Sequence, residues 1–204
     1  MTSFVLGAAC AEIASYSAQT SATALVAGQP LVVPVKPGLN EQCDNGGNWW
    51  SHEGAPIAML TGQSASAVSP SSVKLEGGMC GGTITITGGV GAGGVTILGP
   101  LSLGAKIVIN GDVAGDLVVG TSMSSDASIT VTGTVRGAIM YTGSMSSGAS
   151  ITVTGAVQGV IKKTGSMSSD AKIEAGSCPA GITPVHDISS GAQIICAGQV
   201  RFGA

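Results

Sequence analysis

Met123-Ser-Ser-Asp-Ala-Ser-Ile-Thr-Val-Thr-Gly133 recurs as Met145-Ser-Ser-Gly-Ala-Ser-Ile-Thr-Val-Thr-Gly155, and a third copy opens as Met167-Ser-Ser-Asp-Ala-Lys-Ile173. The three methionines stand 22 residues apart. Carried backwards, the spacing puts Leu101 in the methionine column; carried forwards, after a one-residue deletion, it reaches Ile188. A fixed period of this length is the mark of a repeat architecture. The other columns follow: Ala105, Ala127, Ala149, Ala171 and Ala192, and two positions on Ile107, Ile129, Ile151, Ile173 and Ile194. Next come Ile109, Val131, Val153, Ala175 and Cys196, then, beyond a bend, Val113, Val135, Val157, Pro179 and Val200.

Ser128, Thr130 and Thr132 alternate with Ile129 and Val131, and period-two alternation over a short run means a strand with one buried face. Glycines stand at recurring turn positions, Gly111, Gly133 and Gly155 in one column and Gly115, Gly137 and Gly159 in another. They are expected to supply the backbone angles of sharp corners. Gly104, Asp126, Gly148, Asp170 and Gly191 share a further position, read as a left-handed corner. One such unit cannot bury its apolar side alone, but stacked copies place each column against itself. The expected fold is all-β, a right-handed parallel β-helix of about 22 residues per turn over residues 77–204. Its core columns are Met123, Met145 and Met167; Ile107, Ile129, Ile151, Ile173 and Ile194; Val131 and Val153; and Val135 and Val157.

Composition agrees with a narrow core: hydrophobic residues make up 44 %, aromatics 3 % and charged residues 9 % of the 204 residues, with 33 glycines. Basic residues are scattered almost singly and the net charge is −3, so no surface is expected to neutralise phosphates of a nucleic acid. The apolar runs are too short to span a bilayer as helices, so no membrane role is expected. Met1 to Gly7 lacks a basic flank, which leads to the expectation of an uncleaved protein made in a cytoplasm. Five widely spaced cysteines (Cys10, Cys43, Cys80, Cys178 and Cys196) form no CxxC pair and are expected to be reduced hydrophobes.

Residues 1–76 lack the period and are expected to form an irregular or β anchoring and capping region. Pro30, Pro34 and Pro37 bound an extended Leu-Val-Val-Pro-Val stretch suited to an edge. Trp49-Trp50, in a Gly/Asn loop, is a possible contact surface by packing or sugar stacking. Thr130, Thr132, Thr152 and Thr154 form a second such surface, an outward threonine patch.

No catalytic, cofactor or metal residue is expected. Asp112, Asp116, Asp126 and Asp170 fall at turns in different columns, and Asp126 and Asp170 lie two turns, about 10 Å, apart. Cys43, Asp44, His52 and Glu53 match no ligand spacing, nor does His186-Asp187. Gly91-Ala-Gly-Gly94 lacks the lysine and helix of a phosphate loop.

Gly111-Asp-Val-Ala-Gly-Asp-Leu117 and Gly133-Thr-Val-Arg-Gly-Ala-Ile139 resemble the Gly-x-Val-x-Gly-x-Ile turns of bactofilins. That resemblance implies a self-polymerising scaffold in a bacterial cytoplasm. The Ser/Ala/Gly-rich start, the Gly28–Gly38 stretch and the repeat from Leu101 together look like accessory virion proteins of tailed bacteriophages. This second resemblance implies a capsid decoration or fibre-like subunit, made in a host cytoplasm, homo-oligomeric with a trimer favoured. It would dock on a larger assembly through its N-terminal region. A carbohydrate- or ice-binding surface protein is the third expectation.

Overall fold

The computed structural model describes residues 11–12, 24–25, 27–28, 30–33, 51–52, 55–56, 64–183 and 187–203. Every regular element among them is a β-strand, and the chain is a β-solenoid of about five regular turns, roughly 22 residues each. The first strands are β1 (Ala11–Glu12), β2 (Ala24–Leu25), β3 (Leu31–Val33), β4 (Ser51–His52) and β5 (Ala55–Pro56). Then come β6 (Ser64–Val68), β7 (Val73–Leu75), β8 (Met79–Cys80), β9 (Thr83–Thr87) and β10 (Val95–Ile97). The middle of the stack holds β11 (Leu101–Ser102), β12 (Lys106–Asn110), β13 (Leu117–Val119), β14 (Ser128–Val131) and β15 (Ile139–Tyr141). It closes with β16 (Ser150–Ala156), β17 (Ile161–Lys163), β18 (Lys172–Ser177), β19 (Gln193–Cys196) and β20 (Gln199–Gly203).

One sheet runs β1-β3-β7-β10-β13-β15-β17 and the other β2-β6-β9-β12-β14-β16-β18-β19-β20. Each coil gives one strand to each. Registers are those of the period: Ile107 opposite Ile129, Ile129 opposite Ile151, and Ile151 opposite Ile173. Ile173 then faces Ile194, and upstream Ile84 faces Ile107. Parallel bridges join Leu101, Met123, Met145, Met167 and Ile188 in one file and Val90, Val113, Val135 and Val157 in another. At parallel strand spacing, five turns make a rod about 25 Å long.

A regular coil presents seven side chains inward. From Ile129 they are Ile129, Val131, Val135, Ile139, Tyr141, Met145 and Ala149, none more than 1 % exposed. Burying each large aliphatic member contributes roughly 1.5–3 kcal/mol. Two of these files, Leu117-Ile139-Ile161 and Val119-Tyr141-Lys163, belong to the sheet that the threonine repeat does not mark.

The corner before each inward alanine is a two-residue turn with both central φ angles positive. The pairs are Leu103-Gly104, Ser125-Asp126, Ser147-Gly148, Ser169-Asp170 and Ser190-Gly191. Ala127 N–H donates to Ser124 O and Ala149 N–H to Ser146 O, closing type I′ turns. The turns themselves stack, Asp126 N–H donating to Ser147 O and Gly148 N–H to Ser169 O. Asp and Gly alternate down this file for a steric reason: a Cβ on Gly148 would strike Asp126 Oδ1, and one on Gly191 would strike Asp170 Oδ1.

Most members of the other glycine files have a different cause from the one expected. Gly111, at φ 144°, has the positive φ expected of its column, but Gly115, Gly133, Gly137, Gly155 and Gly159 are not in the left-handed region. They are needed because the main chain of one coil lies directly on that of the next. A Cβ on Gly133 would sit 2.6 Å from the Gly111 main chain, and one on Gly155 would sit 2.7 Å from Gly133 O.

Two further expectations are corrected. The stack does not begin at residue 77: β6 pairs with β9 and β7 with β10, so residues 64–76 supply rungs of the same two sheets. Leu31 of β3 lies opposite Val73 of β7, so coils adjacent in space are interrupted by the connection 34–63. Within it β4 and β5 form a short antiparallel pair. Pro179 and Val200 do not continue the valine file. Pro179 is exposed, while Val200 is 54 % exposed on β20, which turns back antiparallel to β19 through Ala197-Gly198, both at positive φ.

Two substitutions test this architecture. Ile151→Asp places an unpaired charge in the central file and should cost several kcal/mol, read as a large fall in the urea midpoint. Ser147→Gly relieves a non-glycine residue from φ 51° and should stabilise by about 0.5–1 kcal/mol, whereas Gly148→Ala should destabilise by more than about 1 kcal/mol.

Candidate functional surfaces

The threonines expected to form a patch sit on the outward face of the second sheet. Thr130 lies opposite Thr152, both half-buried, while Thr132 and Thr154 are exposed at the strand ends. Val108 lies above Thr130 and Glu174 below Thr152, so the array is two coils deep. Thr83, Thr85 and Thr87 make another hydroxyl row, separated from it by Lys106, Val108 and Asn110. Thr132 is already engaged: its Oγ1 accepts from Gly111 N–H at 3.0 Å and donates to Ile109 O at 3.4 Å. Its hydroxyl therefore fastens one coil to the coil above.

The same holds for the aspartates of the first corners. Asp112 Oδ1 accepts the Thr134 amide at 2.9 Å and its Oδ2 receives the Arg136 guanidinium at 3.2 Å. The Thr134 amide first, and Arg136 second, hold the Asp112 carboxyl below its ordinary value. Asp116 Oδ1 accepts the Ala138 amide at 2.7 Å. Each carboxylate thus reaches down one coil to pin a main-chain donor at a bend. Lys74 pairs with Glu76 and Lys172 with Glu174 along single strands, all four partly exposed, and such pairs contribute little each.

Sequence reasoning missed two features in the interior. Lys163 follows Leu75, Ile97, Val119 and Tyr141 in one inward file and is 1 % exposed. Its aliphatic stem extends the file, and Nζ donates to Asp187 O at 3.4 Å. Burial lowers the pKa of its ammonium, opposed in part by the Asp187 charge. One coil above, burial raises the Tyr141 phenol, offset slightly by the Met123 backbone, and Oη has no partner in hydrogen-bond geometry. The 22-residue spacing from Val119 to Tyr141 and Lys163 was the available signal.

The second missed feature is a disulfide between Cys178 and Cys196, with Cα atoms 6.1 Å apart. The expectation that these two cysteines are reduced is corrected. The physical reason is a shift of one residue in the last coil: Cys178, not Pro179, packs on the core below Val157. That brings its sulfur to Cys196, which lies in the file below Ala175. Cys10 and Cys43 lie outside the described residues, and the side chain of Cys80 is not among those described.

Trp49-Trp50 also lies outside the described residues, as do Asp44, Glu53 and His186. In the chain the tryptophan pair falls in the connection 34–63, immediately before β4. Among the described residues no three His, Cys, Asp or Glu side chains gather as a metal site.

The buried lysine sets a pH dependence. Its folded pKa lies below 10.5, so the folded chain binds fewer protons than the unfolded one just below that pH, and stability should rise as pH climbs through that window. Denaturant midpoints at pH 7 and pH 10 should converge in Lys163→Met relative to the parent. For Asp112 the slope has the same sign in the acid range: its folded carboxyl also lies below its ordinary value, so its contribution is present above about pH 4 and is lost as pH falls, and Asp112→Asn should flatten that acid limb. Comparison of the chain with protein-family models, curated proteins and solved structures returns no match.

Proposed function

We propose that this chain is a non-catalytic structural protein, a stiff β-solenoid subunit of a larger assembly. The reading taken furthest is a virion decoration or fibre-like subunit of a tailed phage, homo-oligomeric with a trimer favoured, made in the host cytoplasm. The observation that carries it is the length of chain inserted between two strands of neighbouring coils. Leu31 and Val73 are neighbours in one sheet, yet residues 34–63 separate β3 from β6 in the chain. A regular coil crosses the same corner from Val119 to Ser128 in eight residues. An insertion of that length, containing Trp49-Trp50, is suited to docking. The polar side chains of the rod support the same reading, because Asp112, Asp116 and Thr132 are spent on fastening coils.

The rival, a bactofilin-like polymer, needs an open strand edge at each end for the next subunit. At the C-terminal end β20 lies antiparallel along β19, which favours a discrete subunit over head-to-tail growth. The carbohydrate- or ice-binding alternative draws support from the hydroxyl rows, which are broken at Lys106, Val108 and Asn110.

Mass by light scattering together with negative-stain microscopy separates these readings. Discrete oligomers are expected for the full chain, and long filaments would favour the polymer. Replacing residues 34–63 with the Gly120–Ala127 corner should leave the thermal transition within a few degrees and abolish attachment to the assembly. Retained attachment would remove the docking role from this insertion.

A further inference from the structure

The last coil is where the core has no coil beneath it. The interior files are closed, but Cys178, Ile182, Ile188 and Phe202 are only partly buried against the core. Residues 178–183 and 187–189 hang from the coil above by main-chain bonds: Ile161 N–H to Gly181 O, Thr183 N–H to Ile161 O, Met167 N–H to Asp187 O and Ser189 N–H to Met167 O. On the underside, the described contact that closes this segment as a loop is the Cys178–Cys196 bond. It joins the start of the coil to β19, whose Ala192 and Ile194 neighbours are fully buried. The bond therefore ties a weakly packed segment to a firmly packed strand.

An open cleft of about 320 Å³ lies beside the bond, lined by Cys178, Gly181, Ile182, Cys196, Arg201 and Phe202. It leaves room for a small thiol to approach the sulfurs, and the Arg201 cation on its wall favours approach of a thiolate.

We infer that Cys178–Cys196 is a redox latch on the C-terminal end of the rod, opened by a dithiol reductant. A reductant thiolate attacks one sulfur and expels the other as a thiolate. The second reductant thiol then resolves the mixed disulfide, so the protein gains two electrons and two protons while the dithiol becomes a cyclic disulfide. Residues 178–189 are freed as a loop while β18 and the coils above stay folded. Opening uncovers the lower edge of β17 and of Met167, the same parallel edge that every coil offers to the next.

Hydrogen exchange of the full-length chain with and without dithiothreitol tests this. Closing a loop of 18 residues corresponds to an opening equilibrium shifted on the order of 100-fold, so the Thr183 and Ser189 amides should lose about that much protection on reduction. The amides of residues 128–153 should be unchanged. Cys178→Ser should show the opened pattern without reductant. Unchanged protection at Thr183 and Ser189 would overturn the latch. So would loss of protection through the whole rod at once, or a mass showing both thiols free in the oxidised preparation.

Discussion

Everything in this molecule depends on parallel, in-register hydrogen bonding between one coil and the next. Val113 N–H donates to Thr134 O while Arg136 N–H donates back to Val113 O, and the same exchange recurs at Met123 and Met145. Such a ladder works only if successive coils follow the same path, because a displaced residue would unpair donors on both sides. The 22-residue period is the covalent expression of that demand. Bends must superpose as well as strands, which is why the type I′ corners stack and why serines are held at φ near 51° in successive coils.

The bends are also where polar chemistry is concentrated. A main-chain donor at a corner often has no strand partner, and Asp112 and Asp116 supply one from the coil above. Where an aspartate occupies the turn itself, its carboxylate lies over the glycine of the next coil, as Asp126 over Gly148 and Asp170 over Gly191 show. Acidic residues that look like a scattered surface set in the sequence are therefore tied to positions one period away.

Departures from the period are more informative than the period. Residues 34–63 are inserted between β3 and β6, and the strands on either side still pair within the two sheets. At the other end, β20 reverses direction, Phe202 packs under the core and a disulfide closes the last coil. Terminal coils of a solenoid lose half their neighbours, so apolar burial alone serves them poorly. Antiparallel pairing and a covalent bond compensate for that loss.

The repeat by itself determined the solenoid, its period, and the files of methionine, isoleucine and valine that run down it, since only stacking buries those residues. Ile84 and Ile86 lie opposite Ile107 and Ile109, because alternation survives a change in turn length. Tertiary structure alone decided that residues 64–76 belong to the stack, because Ser-Ala-Ser-Ala-Val resembles a linker until it is paired with Thr-Ile-Thr-Ile-Thr. It also decided that Lys163 points inward, a placement set by register with Tyr141 rather than by polarity. The disulfide depends on a single-residue shift at Cys178, and β20 on a reversal at Ala197-Gly198. Neither has a periodic signature, because both arise where the chain no longer has a next coil to match.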